Sequence, residues 1–420
     1  MQKIMTGKQL IEYLTAKDKG NRKFDLHCHS EVSDGNKDLI GLLLEAKANG
    51  LDLLVITDHD TAKVFEPIFN GAIDPSIFGV QVTTGVEVTT LTEHGMVETL
   101  MYGFDYKQYN DYQYAENSDF RYLTREFKLK RNFDIFRQRL ACAYKAGLIT
   151  EEQADIRNYI KLTEPNKTEE IPFVEFGKDI TTLIKSTNLT SPFEEIRSTI
   201  AQLRGKDEPI CHNGGVELAE SVIIDGQIYS VSYDYFNSQL FAAIKQNPDG
   251  QRYLDEFAKP GGEVGIRTFG EFSRFITQNP ANPIYVKPDG FWPTQKELVE
   301  FAHKLGGIAV LAHPYNYPQL EATPDEIMQT AVDNGVDGIE CMYGFATYKE
   351  MVHIKHFAEA QDRPLVLTGG TDKHKDFTNV ENTIPWTLGQ TVRTKLEITT
   401  ENLANIEELA ALQDSLAEAQ

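Results

Sequence analysis

Short aliphatic runs alternate with amphipathic stretches at both ends of the chain, and the alternation stops between them. Segments 24–29, 53–57, 80–84 and 97–102 are aliphatic or β-branched and read as strands. Between the first two, Leu39, Leu42, Leu43 and Ala46 recur at helical spacing over 38–49, with Gly50 as a stop. From about 107 to 290 the chain turns richer in Tyr, Phe, Lys and polar residues and reads as mostly helical and irregular. Here 127–146 predicts an amphipathic helix, and 222–231, around Asp225-Gly226, a small hairpin. The first rhythm resumes at 294. A helix over 294–305 is capped by Thr294 with Glu297 three residues on. Strands follow at 308–312, 336–341 and 365–368, with helices at 324–334 and 348–361. Strands alternating with helices predict a parallel α/β sheet or barrel. The expected organisation is a discontinuous barrel, 1–106 and 291–400, around an insertion or cap domain at 107–290. Residues 401–420 form an acidic terminal helix.

Composition narrows this picture. A chain of 420 residues is too long for one simple core. No run approaches the ~18–20 apolar residues that span a bilayer, and Met1 to Met5 leads into polar residues rather than a signal core. A cytoplasmic location is expected. Cys28, Cys142, Cys211 and Cys341 are scattered, with no Cys-X-X-Cys pair, which argues against a disulfide framework or a zinc knuckle. A net charge of −22 opposes binding to anionic membrane and non-specific binding to duplex nucleic acid. It leaves room for a small anionic substrate held by metal ions. The sequence fixes no oligomeric state.

The candidate chemistry lies at the ends of the predicted strands. In Phe24-Asp25-Leu26-His27-Cys28-His29, alternation places both histidines on one face, with Asp25, and puts Cys28 on the apolar one. Two imidazoles on one face can grip a metal, and a nearby carboxylate can fix a ring tautomer. One His-X-His means little alone. Here Asp34, His59 in Thr57-Asp58-His59-Asp60, Glu87, His313 and the pair Asp372 and His374 each follow a short aliphatic segment. In a (β/α) barrel the strand C-termini carry the active site.

These motifs resemble the PHP (polymerase and histidinol phosphatase) family of metal-dependent phosphoesterases. The resembling stretches are Asp25 to His29, Ser33-Asp34-Gly35, Ile56 to Thr61, Gly85-Val86-Glu87, Leu311 to Pro314 and Gly370 to His374. Tyr102-Gly103-Phe104-Asp105 and the insertion resemble, within it, phosphatases of nucleoside 3′,5′-bisphosphates and short oligonucleotides. The resemblance implies a distorted (β/α)7 TIM-like barrel with a large, mostly helical insertion, and two or three divalent ions (Mn, Fe or Zn). It places His27, His29, Glu87 and Asp372 on the first metal. Glu87 bridges to a second that also takes His313, and Asp34, His59 and His374 hold a third. One position departs from the pattern. Glu98 stands where these phosphatases usually carry His, with His94 as the rival ligand; a carboxylate there makes the site harder and favours Mn or Fe over Zn.

The implied reaction is hydrolysis of a small phosphate ester by metal-activated hydroxide. Asp58 and Asp60 are candidates for orienting groups or for proton transfer to the leaving group, against a plain polar turn. Lys373 either contacts a substrate phosphate or points to solvent. Glu340 is an orienting carboxylate or half of a buried salt bridge. In the insertion, Lys128 and Arg131, with Lys130, Arg137 and Arg139, are candidates to grip phosphate, against a merely solvated helix face. His212 reaches the site or stabilises a turn. His303, His353 and His356 read as surface residues. The competing functions are a histidinol-phosphate-type phosphatase, a catalytically silent metal-binding regulatory barrel, and an amidohydrolase, which Glu87 in place of a bridging lysine argues against.

Overall fold

A computed structural model describes residues 4–16, 20–114, 120–159, 221–224, 227–230, 233–260, 262–374, 377–378, 383–384 and 386–418. The chain divides into two compact units. One comprises Met1–Asp111, Trp292–Tyr317 and Glu321–Gln420, and the other Tyr112–Phe291 with Pro318–Leu320.

The first unit is α/β. Strands β1 (Phe24–Asp25), β2 (Leu53–Val55) and β3 (Gln81–Thr83) form one parallel sheet in that order. Strands β4 (Gly85–Thr92) and β5 (Gly95–Tyr102) belong to a second sheet. A two-strand hairpin, β6 (Ser221–Ile224) and β7 (Gln227–Ser230), lies in the other unit at the expected place. Strands β8 (Ile308–Leu311), β9 (Gly338–Tyr343) and β10 (Val366–Gly370) complete the second sheet, in the order β10-β9-β8-β5-β4.

Hydrogen bonds bridge the two sheets on both sides. Asp60 N–H donates to Glu87 O (2.8 Å), and Leu26 N–H donates to Gly369 O (3.1 Å). Asp372 N–H donates to His27 O (2.6 Å), and Cys28 and Lys373 form a parallel bridge. β10 passes so near β1 that a Cβ on Gly370 would lie 2.3 Å from His27 N, so glycine is required there.

The sheet is not all parallel. β4 pairs antiparallel with β5, and β5 antiparallel with β8. The expectation of seven strands in strict βα alternation omitted β4. Only Glu93 and His94 join Thr92 to Gly95, and so short a connection admits only antiparallel pairing. A helix at Gly7–Thr15 was also not expected, although Thr6 and Gln9 form its capping box. The helices expected at 38–49, 294–305, 324–334 and 348–361 lie close to those bounds, whereas Glu66–Phe69 and Tyr106–Tyr114 were not expected. Leu39–Ala48 is capped by Asp38, and Gln295–Lys304 by the Thr294/Glu297 box. Tyr348–Glu359 follows β9, and the C-terminal segment is Thr400–Ala404 and Ile406–Glu418.

The second unit is mostly helical. Its core gathers Phe136, Leu140, Phe236, Leu240, Ile244, Phe272 and Ile276 from the helices Arg125–Lys145 and Tyr233–Gln246 and the π-helical turn Phe272–Thr277. Among the described residues no helix is long and apolar enough to cross a membrane.

Candidate metal centre

His27 and His29 stand just past β1, on the face that alternation predicts, with ring centroids 5.4 Å apart. Cys28 between them is fully buried and directs its thiol to Val55 O. Glu87 enters from β4 with Oε2 3.3 Å from Nε2 of both His27 and His29. Asp372, just after β10, brings Oδ1 to 3.4 and 3.2 Å from the same two nitrogens. The donor atoms of these four residues lie within 4.8 Å of one another.

A second group, His29, Asp34, His59 and His374, adjoins the first. Asp34 Oδ2 is 3.0 Å from His374 Nε2 and 3.5 Å from His59 Nε2, and its Oδ1 is 3.4 Å from His29 Nδ1. His59, Glu87 and Glu98 make a third. His313 joins it, with Nε2 3.4 Å from Glu87 Oε1 and 3.3 Å from Glu98 Oε2. Glu98, not His94, is brought to His313; His94 instead places Nε2 3.1 Å from Thr330 Oγ1.

The donor set fits divalent metal. Ligand atoms around an ion with bonds of ~2.0–2.2 Å sit roughly 3.0–3.5 Å apart, which is the spacing found here. Nε2 of His27, Nε2 of His29 and Oε1 of Glu87 are buried with no hydrogen-bond partner. Native interiors seldom leave such atoms unsatisfied.

The surrounding carboxylates set the charge. For His29, burial opposes protonation, but Asp34, Asp372 and Glu87 outweigh it and raise the imidazole to about 9. His27 is raised in the same way by Glu87, Glu340 and Asp372 against its burial. Burial pushes Asp34 and Glu87 upward, yet the imidazoles hold both well below the usual carboxylate range. Asp372 is drawn to about 2, its burial outweighed by His27 and His374. The carboxylates thus favour a positive charge on His27 and His29, a charge that a bound cation would supply instead.

Orienting groups lie behind the donors. Glu340 on β9 sets Oε1 3.0 Å from His27 Nδ1 and accepts the His313 N–H with Oε2 (2.9 Å). A carboxylate only accepts, so Nδ1 carries the proton and Nε2 faces the cluster. The His374 ring is fixed by Nδ1 donating to Asp372 O (2.9 Å). Asp25 shares the strand but holds backbone instead. It accepts from Thr371 N and Oγ1 and from Gly389 N, and burial raises it to about 6. The backbone itself is strained here. Asp60, His313 and Asp372 have φ of 55°, 23° and 54°, conformations that cost about 1–3 kcal/mol each and gather at functional sites.

Of the alternatives for Asp58, Asp60 and Lys373, the geometry keeps a positioning role for the first two and neither expected role for Lys373. Asp58 is completely buried, and its oxygens accept from Ser30 N, Ser30 Oγ and Ser33 Oγ at 2.7, 2.6 and 2.6 Å. It fixes the loop that carries Asp34 and is not placed to hand a proton to a leaving group. Asp60 contributes its backbone N–H, which fixes the Glu87 carbonyl. Lys373 neither reaches solvent nor shares the imidazole face. It is the bridge partner of Cys28, turns the same way, and sets Nζ 2.6 Å from Glu45 Oε1. Its buried charge requires that partner.

Lys128 and Arg131 belong to the second unit. With Arg139 they lie on the buried face of Arg125–Lys145, contrary to a solvated helix face, whereas Lys130 and Arg137 are exposed. His212 lies outside the described residues. His303, His353 and His356 pair near the surface with Asp337, Asp325 and Glu407.

An α/β unit with adjoining His and carboxylate clusters able to bind metal defines the class. The profile of the PHP domain family matches residues 25–236, about half of the chain, and the protein belongs to that family. A 5′-3′ exoribonuclease of Haemophilus influenzae is 36% identical over 84 residues, which are 20% of this chain and 30% of that protein's length. Two solved structures align broadly. One, from Bifidobacterium adolescentis, is provisionally assigned as a metal-dependent phosphoesterase, with TM-score 0.44, 17% identity and coverage of 86% of this chain and 92% of that one. The other is an amidohydrolase from Chromobacterium violaceum with bound sulfate, with TM-score 0.43, 18% identity and coverage of 92% and 96%. At these scores the alignments carry neither fold nor activity to this chain.

Proposed function

We propose that the protein is a metal-dependent phosphoesterase that hydrolyses a small phosphate ester, a nucleotide bisphosphate or a short oligonucleotide. The observation that carries this reading is that Glu87 and His29 are each shared between adjoining metal-holding groups. Cations held by such shared residues would sit side by side, the arrangement that serves in-line attack on phosphorus. The local likeness to an exoribonuclease agrees with a nucleotide substrate. The hydrogen bonds joining both sides of the two sheets support a distorted (β/α) barrel with these groups at its strand ends.

When bound, the metal ions supply an activated water and neutralise charge on the phosphoryl oxygens. The chain's residues do the rest. His27, His29, Glu87 and Asp372 would hold one ion, Glu98, His313 and Glu87 would hold a second, and Asp34, His59 and His374 would hold a third. Glu340 keeps His27 in the ligating tautomer. Asp58 and Asp60 hold the loops that carry Asp34 and Glu87. The position built from Glu87, Glu98 and His313 has two carboxylates and one imidazole, a donor set that suits Mn or Fe better than Zn.

A panel of phosphate esters assayed with Mn, with Asp372→Ala as control, tests the proposal. Phosphate release from nucleotide substrates that Asp372→Ala abolishes is expected. Absence of turnover on every ester would leave a silent metal-binding domain instead.

A further inference from the structure

We infer that Phe345 is a stacking platform for the base of the ester handled at the metal-holding groups, so that the site prefers phosphates that carry a planar base. This rests on the phosphoesterase reading above. Phe345 follows β9, the strand whose Glu340 orients His27 and His313, so its loop leaves the strand end that carries the cluster.

The ring is open but its loop is pinned. Phe345 is 45% exposed, among the few large apolar side chains left so. Ala346 N–H donates to Tyr343 O (3.1 Å), and Val392 and Arg393 N–H both donate to Gly344 O (2.7 and 3.0 Å). Thr347 then caps the next helix in a capping box with Glu350. An apolar ring held in water on an ordered loop loses little entropy when a ligand covers it.

Trp386 ties this platform to the cluster. It meets Phe345 edge-on, with centroids 5.5 Å apart at 72°, and its centroid is 5.9 Å from that of His374. Its Nε1–H donates to Thr371 O (2.9 Å), next to Asp372. Two ring-to-ring steps thus separate a metal-holding histidine from an open aromatic face. Every base has a π face, so stacking selects for the presence of a base and tolerates its identity. A sugar phosphate would leave Phe345 in water.

The test compares a nucleoside 3′,5′-bisphosphate with ribose 5-phosphate on the metal-loaded wild type, Phe345→Ala and Phe345→Trp. We expect Phe345→Ala to lower the ratio of kcat/KM, nucleotide over ribose phosphate, about 5- to 100-fold through KM. Phe345→Trp should keep the ratio, and its added fluorescence should be quenched by nucleotide and not by ribose phosphate. An unchanged ratio with Phe345→Ala, or no selective quenching, overturns the inference while leaving the phosphoesterase reading intact. If the wild type releases phosphate from neither compound, that reading fails, and the quenching comparison still decides the platform.

Discussion

At His29 three carboxylates outweigh burial and raise the imidazole to about 9, yet only the neutral ring ligates metal. Metal binding at pH 7 must therefore expel a proton. The sign follows: affinity rises as pH climbs from 7 towards 9, because less protonated imidazole has to be displaced, and it flattens above. Calorimetric titration in buffers of different ionisation enthalpy should show at least one proton released per binding event at pH 7; heats independent of buffer would refute this. Glu340 makes a second residue-scale case. Glu340→Ala removes the acceptor that fixes His27 Nδ1, and metal affinity should fall about 10- to 100-fold. Competition with a chromogenic chelator measures the loss, and an unchanged circular dichroism spectrum separates it from unfolding.

Among the elements, the join between β1 and β10 has no room for a side chain. A Cβ at position 370 would lie 2.2 Å from His27 Cβ as well as against its backbone. Gly370→Ala should cost about 1–3 kcal/mol by overpacking, seen as a lower denaturation midpoint, and it should weaken metal binding because His27 moves. Thr294→Ala should cost about 1 kcal/mol through its lost cap and leave metal binding alone. The elements were legible where one signal dominated. Leu39, Leu42, Leu43 and Ala46 mark a helix face, and Thr294 with Glu297 marks a start. β4 was not legible, because the turn at Glu93-His94 lacks the Asn-Gly or Asp-Gly signature that marks a hairpin. His-X-His put two rings on one face by alternation alone. That Glu340 rather than Asp25 would orient His27 depends on which strand pairs with which, and one sequence does not carry that information. Lys373 misled for the same reason: its neighbours in sequence face the cluster, but alternation turns it to Glu45.

Across the whole molecule, residues from His27 to His374 converge on one cluster of imidazoles and carboxylates whose donor atoms lie within 4.8 Å of one another in each group. Cations held by these groups bind the folded chain alone, so they add stability by mass action. Saturating Mn should raise Tm, and a chelator should lower it, with the shift lost in Glu87→Ala. The most direct measurement is an anomalous difference map from crystals grown with Mn. The account predicts two or three peaks, each within bonding distance of donors from His27, His29, Asp34, His59, Glu87, Glu98, His313, Asp372 and His374, with Glu87 touching two of them. Strong peaks elsewhere on the chain, with these nine side chains left bare, would contradict it.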